Sequence, residues 1–154
     1  MKSFRLLVLC LPVFSTVLLL AGCAGSGRGG LSGQRAEVVS AALSQVGTPY
    51  LYGGNQPSKG LDCSGLTQFA HRVAGVSIPR TAAEQRQRAQ SVKAKALRPG
   101  DMVFFRSTSG NHVGLMVDGE RFVHASTSKR KILISRLNTP YWRAHYVGGG
   151  TYLK

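Results

Sequence analysis

A chain of 154 residues has room for one hydrophobic core and not for two. Twenty Lys and Arg against six Asp and Glu give a formal charge of +14, scattered over positions such as Arg86, Arg88, Lys93, Lys95, Arg98, Lys129, Arg130 and Lys131. Such charge suits nucleic acid, an anionic polymer, a membrane surface or plain solubility. The export signals below set nucleic acid aside.

Met1-Lys2-Ser3-Phe4-Arg5 is a basic start, residues 6–20 are an apolar run, and Ala21-Gly22 precede Cys23. That order describes a secretory signal peptide rather than a membrane span. Leu20-Ala21-Gly22-Cys23 resembles the bacterial lipobox, which implies cleavage before Cys23, a thioether lipid on its sulfur and N-acylation. The alternative is an ordinary signal peptide cut near Ala24. Ala24 rather than Asp after the cysteine implies, by the same resemblance, a periplasmic protein anchored to the outer membrane. The Gly/Ser-rich stretch that follows reads as a tether. The expected division is a signal peptide over 1–22, lipidated Cys23 and tether over 23–33, and a domain over 34–154. Of three cysteines, Cys10 leaves with the leader and Cys23 is modified. Cys63 remains as a free thiol, and no intrachain disulfide is possible.

Val38, Val39, Ala42, Leu43 and Val46 predict a first amphipathic helix, stopped by Gly47. Residues 48–60 are rich in Gly and Pro and predict a surface loop, from which Tyr50 and Tyr52 can reach the thiol. Leu66, Phe69, Ala70, Val73 and Ala74 fall on one face of a second helix, with Gly75 beyond its end. Asp62 or Cys63 then caps it. There the free N–H groups and the helix dipole favour an anion, so the thiol is expected to have a lowered pKa. Thr81 and Glu84 form a capping box for a polar third helix ending near Ala89. After a turn at Arg98-Pro99-Gly100-Asp101, strands are predicted over 102–105, 112–117, 120–126 and 131–135. Residues 138–142 form a turn or a single helical turn, and a last short strand covers 144–147. Helices first and strands later predict an α+β fold with an antiparallel sheet.

The free thiol needs partners if it is chemical. His71, eight residues along the same helix, falls on its polar face and reads as surface, and His145 has no evident partner. His112 and His124 stand in one predicted hairpin, and its register decides whether they meet. A two-residue Asp118-Gly119 turn pairs His112 with Ala125 and sends the two rings to opposite faces. A three-residue loop over 117–119, with Gly119 left-handed, sets His112 opposite His124. The pattern slightly prefers the first, and a working site requires the second. In the second, Cys63 is a nucleophile, His112 its base and His124 the group that orients the base. Zinc held by Cys63, His112 and His124 is a rival reading, but it lacks paired-cysteine or His-Glu-x-x-His spacing. No metal or other cofactor is expected.

These segments in order resemble the NlpC family of papain-like cell-wall cysteine peptidases: Gly47-Thr48-Pro49-Tyr50 with Gly53-Gly54, Asp62-Cys63-Ser64-Gly65, Ile78-Pro79-Arg80-Thr81, residues 99–105, Asn111-His112-Val113-Gly114 and residues 122–126. The resemblance implies a papain-like fold, with Cys63, His112 and His124 as a triad and Tyr50 near the oxyanion. It also implies that Asp62, Ser64 and Arg80 line or brace the cleft. The implied activity is hydrolysis of peptidoglycan amide bonds next to diaminopimelate. A monomer held to the membrane through its lipid is expected. Pro140-Tyr141-Trp142 and the lipobox look most like small murein endopeptidase lipoproteins of Gram-negative bacteria. Two rivals are a catalytically idle wall-binding lipoprotein and a thiol acyltransferase on a related fold.

Overall fold

The computed structural model describes residues 33–108 and 110–154. The leader, the lipobox with Cys23 and the tether up to residue 32 lie outside the described residues. Helix α1 (Gly33–Leu43) buries Val38, Val39, Ala41 and Ala42. Leu43 and Val46, expected on the same face, are exposed at its far end. α1 also buries Arg35, whose Nη1 donates to Asp101 Oδ1 at 2.8 Å and to the Pro99 carbonyl at 2.9 Å. The other Asp101 oxygen accepts from the Arg98 N–H at 2.8 Å. This ion pair ties α1 to the turn that enters the main sheet.

A two-stranded hairpin, β1 (Asn55–Gln56) and β2 (Gly60–Leu61), leads into α2 (Cys63–Val73). Asp62 caps α2, its carboxylate accepting the Gly65 N–H at 2.6 Å. The other end closes as a Schellman motif: Val76 N–H donates to His71 O, Gly75 N–H donates to Arg72 O, and Gly75 has φ +73°. Gly65 is required by close approach, because a Cβ there would collide with the Gly54 carbonyl.

The buried face of α2 is rotated from the one hydropathy predicts. It carries Leu66, Thr67, Ala70 and His71, while Val73 is 55% exposed. The polar groups are admitted because all but His71 Nε2 find a partner. Thr67 Oγ1 donates to Gln85 Oε1 at 2.8 Å, and Gln85 Nε2 donates to the Ser64 and Pro79 carbonyls. His71, read as a surface residue in the sequence, is fully buried with Nδ1 2.8 Å from the Thr67 carbonyl. Gln85 belongs to α3 (Ala82–Arg88), which opens with the expected Thr81–Glu84 capping box.

The main sheet has six strands, all antiparallel, in the order β3-β8-β4-β5-β6-β7. These are β3 (Gln90–Val92), β4 (Met102–Ser107), β5 (Gly110–Met116), β6 (Arg121–Ser126), β7 (Lys131–Arg136) and β8 (Tyr146–Thr151). Before β8 lies α4 (Pro140–His145), the helical turn expected near Pro140. Strand alternation gives the sheet two unlike faces. Met102, Phe104, Val113, Leu115, Val123, Ala125 and Ile132 pack toward the helices, in two clusters that both include Cys63. Val103, Phe105, Met116 and Phe122 form the other face, covered by Leu97, Leu137, Trp142 and Tyr146.

The β5–β6 hairpin adopts neither predicted register. Leu115 pairs with Val123 and Met116 with Phe122, leaving Asp118, Gly119 and Glu120 as the loop. Gly119 is not left-handed. The Asp118 side chain does the work assigned to glycine: its Oδ1 accepts the Glu120 N–H at 2.9 Å and the Arg121 N–H at 2.7 Å. Its Oδ2 pairs with Arg121 Nε at 2.6 Å. Continued along the strands, this register sets His112 across from Ser126, so His124 is its diagonal neighbour on the same face.

Candidate active site

Cys63 is the first residue of α2 and approaches the sheet from the helix side. His112 and His124 project from the opposite face, alongside Phe105 and Phe122. All three line one groove, where β5 and β6 part. Their ladder covers Leu115–Val123 and Met116–Phe122, and beyond it the Val113 backbone makes a hydrogen bond to Cys63. The result is a groove of about 1080 Å³. It is lined by Cys63, His112 and His124 and by Tyr50, Asp62, Ser64 and Arg80, so every catalytic and substrate-binding residue expected from the sequence lies along it. Tyr52 stands at its edge, 89% exposed.

His112 Nε2 lies 3.0 Å from His124 Nδ1. His124 Nε2 lies 3.0 Å from Ser135 Oγ. Trp142 roofs the pair, stacked on His112 at 5.8 Å and edge-on to His124 at 4.8 Å. Phe105 and Phe122 pack against the same indole at 4.6 and 5.0 Å. Shielded this way, both imidazoles resist protonation. Burial lowers His112 to about 4, and burial with the neighbouring His112 lowers His124 to about 3.

The thiol departs from expectation. Burial pushes the Cys63 pKa up and the nearby Asp62 carboxylate adds to the rise, while backbone hydrogen bonds at Val113, Ser64 and Cys63 itself pull it down. Burial wins over the helix start, so thiol and imidazole rest as a neutral pair rather than as thiolate and imidazolium. Burial and the charges of Cys63, Asp62 and Tyr52 raise the Tyr50 phenol, which therefore remains a hydrogen-bond donor at neutral pH.

One wall of the groove is braced by a compact polar network. Arg80 donates from Nη1 to Asp62 Oδ1 at 3.0 Å and from Nη2 to Asp62 Oδ2 at 2.7 Å. Nη1 also reaches Ser64 Oγ at 2.9 Å, and Nη2 the Gly54 carbonyl at 3.3 Å. A forked guanidinium on a carboxylate fixes both in plane, so the cap of α2, and with it Cys63, is held to the loop before α3. Among the described residues no group of three or more His, Cys, Asp or Glu side chains is arranged to hold a metal ion. His112 and His124 instead turn their facing nitrogens on each other.

Residues 47–151 match the NlpC/P60 family. The chain belongs to that family. Over 102 residues it is 44% identical to the murein DD-endopeptidase MepS/murein LD-carboxypeptidase of Escherichia coli (strain K12), covering 65% of this chain and 53% of that protein. Over 115 residues it is 39% identical to the gamma-DL-glutamyl hydrolase of Bacillus subtilis (strain 168), covering 72% of this chain and 28% of that one. A crystal structure from Staphylococcus aureus subsp. aureus Mu50, described as similar to lipoprotein, NLP/P60 family, matches with a TM-score of 0.73 at 31% identity, over 84% of this chain and 45% of that chain. The chain spans about half or less of the length of these curated relatives. The α+β fold with an antiparallel sheet is the one NlpC/P60 neighbours share.

Sequence reading missed Ser135 and the role of Trp142. The observed β6–β7 register, with His124 paired to Leu133 and Phe122 to Ser135, sets Ser135 diagonally beside His124 on one face. The sequence places Trp142 in a turn or single helical turn without assigning it a role at the site. A large aromatic just after a Thr-Pro helix start was the available signal, but nothing in the pattern says which strand it covers.

Proposed function

We propose that the protein is a peptidoglycan endopeptidase that cuts stem-peptide or crosslink amide bonds next to diaminopimelate through Cys63, His112 and His124. The observation that carries this reading is the meeting, in one groove, of a helix-start thiol and a directly bonded histidine pair. The relatives' names give the substrate class. Because both partners rest neutral, His112 takes the thiol proton as sulfur attacks the carbonyl carbon. The developing oxyanion is met by the Tyr50 phenol and the Cys63 backbone N–H. The imidazolium then protonates the leaving amine, and water, deprotonated by His112, hydrolyses the thioester. Asp62, Ser64 and Arg80 brace the cleft wall.

In this reading residues 34–154 are the enzyme and Cys23 carries the lipid that holds it to the periplasmic side of the outer membrane. The enzyme acts as a monomer with no metal or other cofactor. The test is mass spectrometry of purified sacculi digested with the protein and with Cys63→Ser. Muropeptides cleaved beside diaminopimelate by the wild type alone support the reading. Sacculi bound but uncut would make it a wall-binding protein, and an acylated Cys63 that releases no muropeptide would make it an acyltransferase.

A further inference from the structure

His112, His124 and Ser135 sit on three successive strands, β5, β6 and β7, and on one face of the sheet. Each ring nitrogen in the chain between them has one partner at 3.0 Å, so a single choice of proton position runs through all three groups. If His112 is to accept a proton from Cys63, its Nδ1 must be bare and its own proton must sit on Nε2. That N–H donates to His124 Nδ1, which must then be bare. The His124 proton is forced to Nε2, where only a hydroxyl acting as acceptor is in reach.

The geometry points to Ser135 as a positioning residue: its Oγ, by accepting from His124 Nε2–H, holds the tautomer in which His112 turns a free Nδ1 to the thiol. A serine hydroxyl can also donate, so the reverse arrangement exists, with protons on both Nδ1 atoms and no base for Cys63. Removing the hydroxyl decides between them. His124 is buried. In the productive tautomer it would be left with an unpaired N–H, and in the reverse one with a bare ring nitrogen. The bare nitrogen is the cheaper defect. This fold already carries one: His71 gives Nδ1–H to the Thr67 carbonyl and leaves Nε2 buried without a partner. Ser135→Ala should therefore shift the histidine pair to its unproductive form. The inference rests on the thiol reading above.

The experiment uses the protein with ¹⁵N-labelled histidine, reading tautomers from long-range ¹⁵N–¹H spectra at pH 7 and kcat and KM on a synthetic stem peptide. In the wild type, His112 and His124 should both carry their proton on Nε2. In Ser135→Ala the protons should move to Nδ1, with kcat down at least about tenfold and KM unchanged. Ser135→Thr, which keeps the hydroxyl at a half-exposed strand position, should restore both readouts. Unchanged tautomers and turnover in Ser135→Ala would overturn the inference. So would a loss of turnover without a tautomer change, which marks packing alone. Cys63→Ser separates the two claims: full activity there removes the thiol reading itself, whereas a dead Cys63→Ser beside an unaltered Ser135→Ala removes only the role of Ser135.

Discussion

Arg35 with Asp101 and Arg80 with Asp62 are the same chemical pair in two settings. The closest contacts are 2.8 and 2.7 Å, but the side chains are 4% and 0% exposed in the first pair and 33% and 14% in the second. The first pins α1 to the entry of β4 and takes no part in lining the groove. The second pins the cap of α2 beside the thiol. Burial fixes what each pair costs when broken, and position fixes which property suffers. A desolvated charge that loses its partner has nowhere to go, whereas one at a groove edge recovers water.

Breaking the buried pair should have the largest effect. Asp101→Ala leaves the Arg35 guanidinium buried, at a cost of about 3–5 kcal/mol, to be read from the urea midpoint. Turnover per folded molecule should not change. A loss under about 1 kcal/mol would mean that water reaches Arg35 and the contrast is false.

Breaking the groove-side pair should reverse the pattern. Arg80→Ala should cost no more than about 1 kcal/mol of stability but about a hundredfold in kcat/KM, because the Asp62 cap and Cys63 lose their brace. Paired measurements of melting and turnover test this. Equal damage to stability and turnover in both variants would dissolve the distinction.

The remaining effect concerns pH and belongs to neither pair. Unfolded imidazoles titrate near 6.5, whereas burial holds His112 near 4 and His124 near 3. His71 is lowered for the same reason. Between these values the unfolded chain binds more protons, so this contribution is complete above pH 6.5 and is lost as pH falls toward 4. The melting temperature should decline over that window, and less so in His124→Gln. A flat profile would mean that the rings are already hydrated.

The contrast between the two pairs also bears on what sequence reveals. The helix start at Asp62-Cys63, the Gly75 stop and the Thr81–Glu84 box were legible because each is a local rule with a fixed spacing. The strands at 102–105 and 131–135 were legible from β-branched and aromatic runs. What failed depended on partners distant in the chain. Thr67, His71 and Gln85 look solvated by hydropathy and are buried because they satisfy one another. β8 was cut short because Gly148, Gly149 and Gly150 argue against a strand, yet it pairs with both β3 and β4. The histidines were correctly placed on one face but through the wrong register, since an Asp118 side chain can close a turn without left-handed glycine. Ser135 could not be found before that register was known.

The neutral state of the buried thiol has a consequence for survival rather than for turnover. The thiolate is the form that attacks peroxide and disulfides, and the steps to sulfenic and sulfinic acid follow thiolate content and access. A cysteine poised as an ion pair would be open to that damage at all times. If Cys63 is the nucleophile proposed above, the burial that favours its protonated form confines the thiolate to the moment in which His112 takes the proton. A thiol held in this form is slower to oxidise than an exposed thiolate.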